Sequence, residues 1–122
     1  MSSLNTFGAI MTFAIEMETK LRDYYQSAGD AARAADADKR RSNLERVRRE
    51  NVTEIKLEPI EGLDEADYVL DLTTPSAEAH PAIETIAARF YQDVAPKINV
   101  REAQRALERC GRQHAELSAL KR

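Results

Sequence analysis

The sequence predicts an all-α protein, an antiparallel four-helix bundle with a long crossover connection between helices 2 and 3. Three observations carry this. The 122 residues hold 4 Gly, 4 Pro, four Tyr, three Phe and no Trp against abundant Ala, Glu and Arg, a composition suited to helices. Apolar residues recur at three- and four-residue spacing through four segments. A long acidic connection then splits those segments into two pairs, as a crossover running the length of a bundle would.

The first helix is predicted to start at Ser3 or Asn5 as N-cap and to run to about Ala28, where Gly29 stops it. An Ala/Asp-rich stretch, Asp30 to Asp38, itself open to partial helix, joins it to the second helix, predicted from about Asp38 to Lys56 and ending before Pro59. The third lies between Thr74 and Ala95, with Thr74-Pro75 or Pro81 as its start and Pro96 closing it. Asn99 and Glu102 have the spacing of a capping box and open the fourth, which runs to the end. Between the second and third helices, Glu58 to Thr73 carries six acidic residues and no Lys or Arg, and Tyr68-Val69-Leu70 within it reads as a strand-like or packed piece.

Length places one domain over residues 1–122, and a chain of this size buries roughly two-thirds of its unfolded surface without staples. The single cysteine, Cys110, cannot form an intramolecular disulfide and reads as a small buried hydrophobe. Eighteen Lys+Arg against 21 Asp+Glu give a net charge of −3, which argues against a strongly basic nucleic-acid binder. The cluster Lys39, Arg40, Arg41, Arg46, Arg48 and Arg49 has no interleaved aromatics and is read as a solvated helix face that pairs with the acidic connection or a partner subunit. The most apolar stretch, Phe7 to Met17, is too short to span a bilayer, and the first basic residue, Lys20, follows it. The expectation is a cytoplasmic protein that associates with itself, most simply as a dimer.

The stripes are informative where polar residues interrupt them. In the first helix the stripe is Phe7, Met11, Ala14, Glu18, Leu21, Tyr25; in the third, His80, Glu84, Ala87, Tyr91, Val94; in the fourth, Ala103, Leu107, Cys110, His114, Leu117. The second gives Val47, Glu50, Glu54, Leu57, the least clean of the four. Glu18 and Glu84 are each followed seven residues later by a tyrosine, Tyr25 and Tyr91. With Glu54 aligned on His114, the chain reads as two diverged copies of one helical hairpin. Buried carboxylates must be paired, protonated or bound to a cation, and carboxylates with imidazole form a common first shell for iron, manganese or zinc. The tyrosine hydroxyls also need partners, which the same glutamates would supply. His80, beside Pro81, is expected to be a cap or loop residue.

Ala14 to Tyr25, Ile83-Glu84 through Phe90-Tyr91, and Leu107 to Leu117 together resemble the ferritin-like superfamily, in particular its short rubrerythrin-like members. The resemblance implies iron binding or oxidation in the bundle core, with Glu18, Glu84 and His114 as metal ligands and Glu54 or Glu50 completing the set. Tyr25 and Tyr91 would orient the carboxylates. That family's pattern has Glu-x-x-His twice. Here the fourth helix reads Gly111-Arg112-Gln113-His114 and the second Asn51-Val52-Thr53-Glu54, so both bridging glutamates are absent; an alternative register of the second helix places Glu50 at the ligand glutamate and Thr53 at the histidine. The alternative is a metal-free helical interaction or scaffold protein that has lost the di-iron chemistry.

Overall fold

The computed structural model describes Leu4 and residues 6–51, 62–73, 78–98 and 100–119. Among these the chain is all-helical without strands: α1 (Phe7–Ser27), α2 (Ala31–Glu50), a short 3-10 helix (Glu65–Tyr68), α3 (His80–Val94), a 3-10 turn (Ala95–Lys97) and α4 (Arg101–Ala119). α1 packs on α2 and α3 on α4, the two hairpins of a four-helix bundle.

Thr6 rather than Ser3 or Asn5 caps α1, its Oγ1 accepting the Ala9 N–H at 3.0 Å. At the other end Gly29 takes a φ of +79°. That left-handed turn lets the Gly29 and Asp30 N–H groups reach back to the Gln26 and Tyr25 carbonyls. The chain re-enters a helix at once. Asp30 Oδ1 accepts the Arg33 N–H at 3.0 Å, and α2 begins at Ala31, seven residues before the predicted start. The stretch read as a joint is helix because a capping Asp precedes good helix formers. α2 also stops earlier than predicted, at Glu50, where Asn51 Nδ2 donates to the Val47 carbonyl at 2.8 Å. Glu54 and the predicted end at Lys56 lie outside the described residues.

α3 starts at His80 with Pro81 in its first turn, the second of the two predicted starts; Thr74 and Pro75 lie outside the described residues. Asn99 does so too. Glu102, expected to close a capping box, accepts from Asn51 Nδ2 at 2.9 Å and so ties the end of α2 to the start of α4. Arg40 Nη1 donates to Gln113 Oε1 at 3.0 Å further along the same seam, so α2 and α4 run antiparallel. The described part of the crossover, residues 62–73, meets α3 through its 3-10 turn. Tyr68 donates to Asp93 Oδ2 at 2.6 Å and meets Phe90 edge-on at 5.3 Å, while Arg89 donates to the Asp67 carbonyl. Tyr68-Val69-Leu70 is therefore a packed piece, not a strand: Tyr68 is buried at the end of the 3-10 turn and Val69 points outward.

The predicted stripes of α1 and α3 are buried throughout, as is that of α4 from Ala103 to His114. In α2 the buried line is Ala34, Ala37, Arg40, Leu44 and Val47, about three turns N-terminal of the stripe predicted there and sharing only Val47 with it. Its neighbour Glu50 is exposed and paired with Arg46 at 2.8 Å.

Candidate functional site

Three of the five predicted ligands meet in the core. Glu18, Glu84 and His114 have no solvent exposure. His114 lies between the two carboxylates, Nε2 at 2.7 Å from Glu18 Oε2 and Nδ1 against Glu84 Oε1. Glu50 is not part of this group; it sits at the surface end of α2, where its carboxylate needs no core partner.

Both tyrosines belong to the same network, and each serves the other hairpin's glutamate. Tyr91 donates to Glu18 Oε2 at 2.5 Å, and Tyr25 donates to Glu84 Oε2. This exchange follows from geometry. A residue seven positions on lies two turns along the same helix face, and because α1 and α3 run antiparallel, each tyrosine arrives at the level of the opposite glutamate. The Tyr91 ring also stacks on His114, with ring centroids 5.5 Å apart and an interplanar angle of 6°.

The fourth helix's partner in α2 is a residue the sequence reading left on the surface. Arg40 is buried, its Nε 2.9 Å from Glu18 Oε1. Arg40 and His114 thus occupy matching places in the two hairpins, one cation source from each second helix facing a glutamate from α1 or α3. The hairpin alignment shifts accordingly: His114 matches Arg40, not Glu54, and Gly111 matches Ala37. The signal for Arg40 was its place in the Ala34-Ala37-Arg40-Leu44-Val47 spacing, hidden among five other basic residues. The rest of that cluster lies on the helix surface as predicted, but among the described residues it pairs chiefly within α2 and not with the acidic connection: Arg41 pairs with Asp38 and Glu45, and Arg46 with Glu50.

Charge balance follows from these contacts. Burial pushes the Glu18 carboxyl up, but the His114 imidazole, the Arg40 guanidinium and the Tyr91 hydroxyl pull it further down, leaving it below its ordinary value. Burial pushes His114 down, and the two glutamates outweigh this and hold it above its ordinary value. Tyr91 and Tyr25 are held in the phenol form, first by burial and then by the adjacent carboxylates. Burial also pushes the Cys110 thiol up to about 12, consistent with an unreactive buried side chain. His80, expected in a cap or loop, is instead buried as the first residue of α3, with Arg33 Nη1 3.1 Å from its Nδ1 and Tyr25 edge-on at 4.8 Å.

α4 lies tight against α3 at Gly111: a Cβ built there would stand 3.0 Å from the Cβ of Tyr91, so a side chain at this position requires the neighbouring helix to give by a few tenths of an ångström.

Among the described residues no group of three or more His, Cys, Asp or Glu is arranged to hold a metal ion, and no helix is long and apolar enough to cross a membrane. Comparison with family models, curated proteins and solved structures gives no significant match.

Proposed function

We propose that this chain is a ferritin-like bundle whose acidic core is neutralised by its own Arg40 and His114, and that it acts as a non-catalytic binding or scaffold protein. The observation that carries the reading is the Arg40 guanidinium 2.9 Å from Glu18 in the bundle core. A guanidinium stays charged at any physiological pH and repels a dication, so it takes the role that a metal would otherwise fill beside that carboxylate. Three further features support it. His114 places both ring nitrogens on carboxylates, leaving no lone pair for a metal. The carboxylate oxygens of Glu18 and Glu84 each accept at least one hydrogen bond. Gly111 stands where a bridging glutamate would be needed, against the Tyr91 Cβ.

The competing reading, iron, manganese or zinc on Glu18, Glu84 and His114, rests on the burial of those three side chains together. Elemental analysis of protein purified with each metal supplied separates the two. The metal-free reading expects substoichiometric metal and a Tm unmoved by added iron or by chelator, since a core-bound ion would raise Tm by mass action. One metal per chain, lost in Glu84→Gln, would overturn it.

The same reading includes a cytoplasmic location, consistent with a buried free cysteine, and self-association as a dimer. Among the described residues Val69, 68% exposed on the crossover, is the exposed large apolar side chain that such an interface would cover. Sedimentation of the full chain, with Val69→Asp as the perturbing variant, reads the oligomeric state directly.

A further inference from the structure

We infer that the groove between α2 and α4 is a binding site for one small oxyanion, a phosphate, sulfate or carboxylate group, with Arg40 in its wall. Arg40 commits Nε to Glu18 and Nη1 to Gln113. Its Nη2 is buried and has no hydrogen-bond partner among the described residues. A buried charged donor without an acceptor is a costly arrangement, and it points to an acceptor that the protein does not itself supply.

The open groove beside it has a volume of about 590 Å³, ample for a small anion. Lys39 and Arg109 stand on its two walls, one from each helix, and Asn43 and Gln113 lie between them. Because the Gln113 carbonyl oxygen is taken by Arg40, its amide NH2 remains a donor. Guanidinium, ammonium and amide groups lining one groove suit an anion with several oxygens.

Asp36 and Glu116 also line the groove, and they set the size of the ligand. Two carboxylates among the lining residues repel an extended polyanion but leave one small anion to pair with the Lys39, Arg40 and Arg109 side chains. The groove has no aromatic side chain on which a nucleobase would stack. This inference goes beyond the metal-free reading of the core, and its test uses no metal.

Isothermal titration of the full chain at fixed ionic strength, with sodium phosphate, sulfate or acetate replacing chloride, is the experiment. Saturable one-to-one binding is expected for at least one anion. Phosphate or sulfate alone would identify a tetrahedral oxyanion site, and acetate a carboxylate site. Lys39→Ala with Arg109→Ala, both exposed, should weaken binding about tenfold or more, and Lys20→Ala on α1 should leave it unchanged. In parallel, NMR of the bound protein should shift the side-chain N–H signals of Arg40, Asn43 and Gln113. Heats no larger than those of chloride, or binding that survives the double variant with those signals unmoved, would overturn the proposal.

Discussion

Removing one member of a buried ion pair leaves the other charge to bear its full desolvation cost, and in this core Glu18 is that other charge. Arg40→Met is therefore expected to lower stability by about 3–5 kcal/mol, measured by urea denaturation. Glu18→Gln in the Arg40→Met background should recover part of the loss, because it removes the stranded charge; no recovery would mean that Arg40 acts through packing alone. Gly111 makes a different kind of prediction. Alanine ordinarily gains about 1 kcal/mol over glycine inside a helix, but here its Cβ would stand 3.0 Å from Tyr91 Cβ. Both atoms ride on helix backbone, so neither yields cheaply, and an overpacking cost of about 1–3 kcal/mol should make Gly111→Ala destabilising. A higher Tm for the variant would show that α3 and α4 separate easily.

For whole helices, legibility varied with how the core face was marked. α1, α3 and α4 carry stripes dominated by apolar and aromatic residues, so Glu18, Glu84 and His114 stand out against their neighbours. α2 buries Ala34, Ala37, Arg40, Leu44 and Val47, a face two-fifths alanine with an arginine at its centre. Alanine marks a core position weakly, and a buried arginine has the same letter as the solvated Arg41 beside it. Periodicity of the larger side chains therefore points further along the helix, to Glu50 and Glu54 in Arg40's place. The start of α2 was misplaced for a related reason: the capping residue Asp30 sits right after the helix stop at Gly29, so two signals share one short turn. Asp30→Ala removes the side-chain acceptor of the Arg33 N–H and should cost about 1 kcal/mol. Amide exchange should quicken in the first turn of α2 and not in α1; uniform quickening would argue against a local cap.

The network as a whole imposes a pH optimum on the molecule. Glu18 lies below its ordinary value of 4.5 in the folded state. Its contribution is present above pH 4.5 and is lost as the pH falls through the lower folded value. His114 lies above its ordinary value of 6.5. Its contribution is complete below pH 6.5 and is lost as the pH rises through the higher folded value. Thermal melts from pH 3 to 9 should therefore show a maximum in Tm between about pH 4.5 and 6.5, with a decline on each side. His114→Gln should flatten the alkaline decline and leave the acid one. A wild-type Tm that stays level from pH 6.5 to 9 would mean that His114 is not held as the imidazolium.

From its residues alone this chain determined four helices, their pairing, and the burial of Glu18, Glu84 and His114, because periodicity fixes which face of a helix turns inward. Periodicity along one helix says nothing about which residue of another helix arrives opposite. Tertiary packing decided that: it brought Arg40 to Glu18, crossed each tyrosine to the other hairpin's glutamate, and set Gly111 against Tyr91. Those meetings depend on the register and separation of helices far apart in the chain, and they determine what balances the charge in the core.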